Sequence, residues 1–343
     1  MRHRNRPAVA ALAIALTCAA AGCSPAGNTA AKSGESAAST TTVISSCGRQ
    51  LAFAQPPTRA LTLDQTSTET LLELGVQDRM TGTANLKTKI PARYQDAYRT
   101  VPVVAPKIAT GEQVRAATPD FVVASSTDLY TKDRAGTREE LAALRLPTFV
   151  SAVDCPQHSA RGTTPFELLF SDYEKLGKVF GVDERAARLV AQQRAAVAAA
   201  GASASTTTPR GTPPTVVYLY SIFNGMPYVA GRTGLPSEIS RIVGAKNAFD
   251  DVNEDWPEVS WEEVAQRNPD FLVIGDLSER GRPGDSATEK RAILAKDPAI
   301  SRLPAVRDHR IIEVPGIELD PSVRSVHALA LVAAGMKHLG HAR

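Results

Sequence analysis

The 343-residue chain has little of what a catalyst or a bare-metal carrier needs. It contains no G-x-S-x-G elbow, no G-x-x-x-x-G-K-[ST] loop, no G-x-G-x-x-G turn and no H-E-x-x-H helix. No Ser/His/Asp set falls on the loops of one half, so the pattern argues against an enzyme. The six histidines are His3, His158, His309, His327, His338 and His341, and none follows a strand-like run in company with another ligand. A zinc or manganese site wants several converging His, Asp or Glu side chains, so direct metal capture is set aside. Aromatic residues make up only 5% of the chain, which gives weight to any place where they gather. The longest apolar run, AVAALAIALTCAAAG at 8–22, has fifteen residues, short of the roughly 20 that span a membrane.

Charge of one sign is also missing once the N-terminus is set apart. MRHRNRP followed by the fifteen-residue run has the form of a secretory signal, and Ala20-Ala21-Gly22-Cys23 resembles a bacterial lipobox, with Cys23 as the lipid-bearing first mature residue. Residues 1–22 carry Arg2, Arg4 and Arg6 and no acid, and without them 36 basic residues face 36 acidic ones. A formally neutral protein has no electrostatic footprint for nucleic acid. Residues 23–46 are small, polar and nearly uncharged, a composition that cannot bury a core and is expected to act as a tether. Beyond Cys23 only Cys47 and Cys155 remain. In an oxidising compartment they are expected as a disulfide, with two free thiols as the alternative.

What the chain does have is the same unit twice. GEQVRAATPDFVVA at 111–124 returns as WEEVAQRNPDFLVI at 261–274, matching at Glu112/Glu262, Val114/Val264, Pro119/Pro269, Asp120/Asp270, Phe121/Phe271 and Val123/Val273. Upstream of each copy a strand and a helix are expected. The first helix is read as opening at Thr68-Glu69 and ending at Gly75, and the second as opening at Ser237-Glu238 and ending at Gly244. Apolar strands alternating with helices predict parallel sheets covered on both faces. The expected plan is two α/β lobes, 47–163 and 209–343, with linking helices at 164–201. One of these ends at Gly181 and a longer one begins at Asp183; a single helical crossover implies a stiff clamp with little hinge motion.

The lipobox, TSTETLLELGVQDRMTGTA, GEQVRAATPDFVVA, the long mid-chain helix, SEISRIVGAKNAF and VSWEEVAQRNPDFLVI together resemble the substrate-binding proteins of ABC importers for iron–siderophore complexes and vitamin B12. The resemblance runs from about Ala52 to the C-terminus. It implies two Rossmann-like lobes joined by a single long α-helix, a ligand cleft between them, and no catalysis or cofactor. It also implies an extracytoplasmic monomer anchored by lipid to the outer face of the cell membrane, working with a permease dimer and its ATPase. Both Thr110–Gln113 and Ser260–Glu263 fit a capping box. That leaves Glu112 and Glu262 free at the second helical position, where the resemblance implies that they dock onto the permease. The alternative is that each complements the positive end of its helix.

For the ligand, loops after strands are the places to look: Gln65–Thr68, Asn85–Lys89, Lys107 and Ser125–Tyr130 in the first half. YLYSIFNGMPY at 218–228 holds four aromatics, followed by Arg232-Thr233 and Trp256. Tyr218 reads as core and Tyr220 as borderline. An anionic chelate needs cationic donors and aromatic walls, and Lys107, Arg232 and Arg324 with Tyr130, Tyr220, Phe223 and Trp256 are the candidates, joined by Thr68, Asn85 and Asn224. The expected ligand is an iron(III)–siderophore complex, its metal arriving already wrapped. A corrinoid, haem or a deazaflavin cofactor precursor is the alternative on the same scaffold, and a tethered ligand sensor is the alternative role.

Overall fold

The chain from Thr42 onward alternates short apolar strands with helices, and a computed structural model describes residues 41–205 and 212–341. The leader, Cys23 and most of the expected tether lie outside the described residues. The last part of the expected tether does not: Thr42–Ser46 (β1) pairs antiparallel with Arg49–Phe53 (β2). Ile44 and Ser46 alternate inward with Leu51 and Phe53, so this stretch has a buried face that its polar composition hid.

The first lobe is a five-stranded parallel sheet. Its strands are Ala60–Thr62 (β3), Met80–Ala84 (β4), Val103–Ala105 (β5), Phe121–Ala124 (β6) and Thr148–Val150 (β7), in the spatial order β5-β4-β3-β6-β7. Helices Gln65–Glu73 (α1), Gln95–Tyr98 (α2), Gly111–Ala116 (α3) and Arg138–Ala143 (α4) fall between them. α1 starts three residues before the expected Thr68, because Asp64 caps it through the Ser67 N–H. The Thr68 hydroxyl instead donates back to the Asp64 carbonyl at 2.7 Å.

Pro165–Phe180 (α5) and Asp183–Ser205 (α6) follow, broken at Gly181, which takes the left-handed φ of 66° that suits glycine. They pack closely: a Cβ on Gly177 would lie 2.4 Å from that of Ala186, so glycine sets their separation.

The second lobe contains Thr215–Phe223 (β8), Met226–Val229 (β9), Lys246–Asn247 (β10), Phe271–Asp276 (β11) and Ile311–Pro315 (β12). Its order is β10-β8-β11-β12, parallel throughout, with β9 folded back antiparallel on β8. Its helices are Leu235–Ile242 (α7), Trp261–Arg267 (α8), Ala287–Lys296 (α9), Pro304–Arg307 (α10) and Ser325–His338 (α11). α7 begins after Gly234 and not at Ser237, whose hydroxyl is spent on Gly231 and Asp250.

The duplicated passages occupy equivalent places, as α3–β6 and α8–β11. Val114 and Val264 are buried, and Phe121 and Phe271 are fully enclosed. The repeated aspartate has a structural use in both lobes. Asp120 accepts from the Thr58 and Arg59 N–H groups just before β3, and Asp270 accepts from the Thr215 N–H at the start of β8, all within 3.0 Å. Each carboxylate ties the lead-in of its repeat's strand to the neighbouring strand.

Cys47 and Cys155 are joined by a disulfide with Cα atoms 5.7 Å apart, closing a separation of 108 residues. With Arg138, whose guanidinium donates to the carbonyls of Ser46 and Thr148 at 3.0 Å each, it fastens the β1–β2 hairpin onto β7. Replacing both cysteines by serine is expected to cost about 2–5 kcal/mol of unfolding free energy, the usual cost of removing a native bridge, read from denaturant midpoints. An unchanged midpoint would mean that Arg138 and Ser46 hold the hairpin without it.

Candidate functional site

In both sheets the strand order reverses beside the first strand: β3 stands between β4 and β6, and β8 between β10 and β11. Connections leaving neighbouring carboxyl ends in opposite directions open a crevice there. A cavity of about 500 Å³ lies at this point, lined from one lobe by Asp64, Gln65, Lys87, Ser125, Ser126, Ser151 and Asp154, and from the other by Thr233, Asp255, Trp256, Ile317 and Asp320. Asp64 turns the chain from β3 into α1 while its other oxygen accepts from the Ser125 N–H at 2.7 Å, joining the ends of β3 and β6. The buried Gln65 amide holds the β4 exit loop, its carbonyl oxygen accepting from the Lys87 and Thr88 N–H groups.

The aromatic wall comes from the second lobe. Tyr220 and Trp256 lie with ring centroids 4.4 Å apart at 30°, and the Tyr220 hydroxyl donates to Asp320 Oδ2 at 2.9 Å. Behind Tyr220, the fully buried Lys290 donates to the carbonyl oxygens of Tyr220, Gly275 and Asp285. Burial pulls the Lys290 ammonium down to about 8, partly offset by Asp285 and Asp276. It is a strut that fixes the ends of β8 and β11, facing away from the cavity lining.

Asp255 stands on the cavity wall beside Trp256. Gly234 makes room for it, since a Cβ there would fall 2.6 Å from Asp255 Oδ1. Surrounding protein atoms raise the Asp255 pKa from 3.8 to about 7, helped by Asp320 and Asp154 and opposed by Lys87. Asp255 is nevertheless solvent-exposed on the cavity wall, so water screens part of this effect.

The sequence candidates divide sharply. Trp256 lines the cavity, and Tyr220 is buried in contact with it. Arg232 sits at the rim next to Thr233, donating to Asn253 at 2.6 Å. Thr68 and Tyr130 are core residues: Thr68 joins the hydroxyls of Thr62 and Thr83, and the Tyr130 hydroxyl donates to the Val122 and Phe149 carbonyls. Asn85 closes β4 in a left-handed turn, φ 53°. Lys107 is exposed in the loop before α3 and does not line the cavity. Phe223 and Asn224 sit at the tip of the β8–β9 hairpin, held from behind by Trp261 Nε1 donating to the Gly225 carbonyl; β8 simply runs on past the point where a loop was expected. Arg324 lines a separate cavity of about 550 Å³ and pairs with the buried Glu69 at 2.9 Å and with Glu318 at 3.8 Å.

The residues that were missed are the carboxylates Asp64, Asp154, Asp255 and Asp320, together with Ser151. Gln65, Lys87, Ser125 and Thr233 fall in loops that the strand-end rule marks out. Asp320 had a signal in the Asp-Pro turn next to Arg324.

Glu112 and Glu262 are both exposed at the second position of α3 and α8, away from the cavity. The caps beneath them differ. Thr110 and Gln113 form the reciprocal box, whereas the Glu263 carboxylate turns to Arg267 at 3.1 Å, and only the Ser260 half of the second box is made.

Residues 61–317 match the periplasmic binding protein family. The chain belongs to that family. It is an extracytoplasmic solute-binding protein and not an enzyme, and its family works with ABC permeases and ATPases. Among solved structures it is similar to a periplasmic binding protein from Veillonella parvula (TM-score 0.73, 27% identity, covering 86% of this chain and 97% of that one). It is also similar to an ABC-type Fe3+-hydroxamate transport system protein from Saccharomonospora viridis (TM-score 0.70, 25% identity, 86% and 98% covered). A curated relative, the vitamin B12-binding protein of Yersinia pestis strain Pestoides F, is 25% identical over 226 residues, 64% of this chain and 70% of that protein. Among the described residues no helix is long and apolar enough to cross a membrane, and no group of three or more His, Cys, Asp or Glu side chains is placed to hold a metal ion.

Because the folded pKa of Asp255 stands above its ordinary value, folding takes up a proton here, and this group's contribution to stability is lost as pH rises from about 4 to about 7. The fluorescence of Trp256 is expected to follow the same ionisation, with a midpoint near 7 that disappears in Asp255→Asn. A midpoint surviving in that variant would assign the titration to another group.

Proposed function

We propose that this protein is the lipid-anchored receptor of an ABC importer that captures a ferric–siderophore-type chelate and hands it to a permease dimer. The observation that carries the reading is a cavity lined by Trp256, which packs against the buried Tyr220, on a fold shared over nearly the whole length of an Fe3+-hydroxamate transport protein. A rigid aromatic wall suits the bulky apolar periphery of such a chelate, while hydroxyls and carboxylates around it supply orientation. The likeness to the vitamin B12-binding protein favours a corrinoid as the second reading.

In this reading Glu112 and Glu262 are the docking contacts. Two carboxylates on equivalent helices would meet cationic side chains of two permease subunits through charge-assisted bonds, one per lobe. Cys23 supplies the anchor and the segment after it the leash.

Titration of the purified protein with ferric hydroxamates, ferric catecholates, haem and cobalamin, followed by native mass spectrometry and tryptophan fluorescence, tests the ligand class. A ferric siderophore is expected to bind in the micromolar range or tighter, and binding of cobalamin alone would transfer the assignment to the second reading. Trp256→Ala is expected to weaken the cognate ligand by about tenfold or more, the usual worth of a buried aromatic contact. Glu112→Ala with Glu262→Ala is expected to abolish uptake by cells while ligand affinity in solution stays as in the parent. Parallel loss of binding would remove these residues from the docking role.

A further inference from the structure

The cavity wall is acidic. It carries the carboxylates of Asp64, Asp154, Asp255 and Asp320 against one ammonium, Lys87, and Lys87 is already paired with Asp320 Oδ2 at 3.3 Å. The four carboxylates are not alike in what they lack. Asp64 accepts from the Ser67 and Ser125 N–H groups. Asp154 Oδ2 accepts from the backbone and hydroxyl of Thr127, both at 2.7 Å, which fixes its direction. Asp320 accepts from the Tyr220 hydroxyl. No hydrogen bond reaches the Asp255 carboxylate from any described residue, and it feels Asp320 and Asp154 as like charges. Asp154 belongs to the first lobe while Asp255 and Asp320 belong to the second, so the repulsion runs across the cleft.

The cations that an anionic ligand would use are committed elsewhere. Arg324 is held by Glu69 and Glu318, Arg232 is turned to Asn253, and Lys107 does not line the cavity. An anion entering here would add a like charge to walls whose single ammonium, Lys87, is shared with Asp320. A cation would supply the donor that Asp255 lacks and relieve its repulsion with Asp154 and Asp320. The indole of Trp256 beside Asp255 adds an aromatic face of the kind that attracts cations.

We propose that the cavity selects a ligand bearing positive charge, an alkylammonium or comparable protonated amine on the chelate's periphery, seated between Asp154 and Asp255 against Trp256. The inference rests on the reading that this cavity holds the transported solute; the carboxylates give the sign of the ligand and not the location of the site. It departs from the anionic chelate that Lys107, Arg232 and Arg324 led us to expect.

Three forms of one linear ferric trihydroxamate test it: the free terminal amine, the same chelate acetylated there, and the same chelate succinylated. The free amine is expected to bind about tenfold more tightly than the acetylated form and about a hundredfold more tightly than the succinylated one. Asp154→Asn with Asp255→Asn is expected to shrink the first ratio to about two, with folding checked by thermal melting. Between about pH 6 and pH 8 affinity for the free-amine form is expected to rise as Asp255 ionises, the charges facing it being Asp154, Asp320 and Lys87. Equal or tighter binding of the succinylated chelate overturns the inference and leaves the iron reading intact. Should none of the three chelates bind, the iron reading fails. The sign is then decided by 1,5-diaminopentane against glutarate at millimolar concentration, followed by tryptophan fluorescence in parent and Trp256→Phe protein. A Trp256-dependent response to the diamine alone upholds the inference, and any other pattern overturns it.

Discussion

The apolar faces of α5 and α6 belong to the cores of both sheets at once. Phe166, Phe170, Tyr173, Leu176 and Phe180 on α5, with Leu189 and Val190 on α6, lie in one continuous cluster with Phe121 and Phe149 of the first sheet and with Tyr218, Phe271 and Leu329 of the second lobe. Two sheets that share a core on one side cannot be rearranged without exposing it, at roughly 25 cal/mol for every Å² of apolar surface returned to water. The contact of Gly177 with Ala186 draws the two helices together, and Gln193 donates to the buried Val323 carbonyl at 3.0 Å, stitching α6 to the lead-in of α11. The carboxyl ends of the strands remain apart from this shared core, and there the cavity forms.

The duplicated passage illustrates how a repeat can carry separate constraints in adjacent residues. Val114/Val264 and Phe121/Phe271 are held by burial, and Asp120/Asp270 by the backbone N–H groups they accept from. Glu112/Glu262 are exposed and are not needed for either cap. The residue next to each of them differs in kind and use, Gln113 completing a capping box and Glu263 leaning to Arg267, which also packs over the Phe249 ring at 4.0 Å. Both glutamates lie in the first turn of their helices, where a negative charge complements the positive helix end.

Charge in the crevice follows a simple rule of pairing. Where lobe meets lobe, carboxylates have partners: Arg324 pairs with Glu69, Lys87 pairs with Asp320, and the Lys89 backbone N–H donates to Glu279 at 2.6 Å. On the cavity wall Asp255 is the exception. Asp255 is given room by Gly234 and no donor. Asp255 is solvent-exposed there, so water serves it where no side chain does.

Much of this was legible along the chain. Apolar strands bounded by glycines, the twofold recurrence of one helix–strand unit and the pair Cys47 and Cys155 carry their meaning locally, because helix ends, strand faces and repeats are short-range properties. Asn85–Lys89 and Ser125–Tyr130 follow β4 and β6 as expected, because strand ends lie where apolar runs stop, whereas Gln65–Thr68 after β3 is already the first turn of α1. Which side chain in each loop faces the crevice was not legible. Thr68 and Tyr130 turned inward to satisfy buried hydroxyls, β8 extended until Phe223 passed out of reach, and Arg324 was drawn to Glu69 across the lobes. Those outcomes depend on partners outside each loop, from 6 residues away for Thr68 and Thr62 to Glu69, far along the chain from Arg324, and so does the acidity of the cavity, which sums Asp64, Asp154, Asp255 and Asp320 from four distant segments. Composition and periodicity alone determined two α/β halves on a helical spine; only the tertiary structure decided which charges meet in the space between them, because an ion pair answers to distance in three dimensions and not to order along the chain.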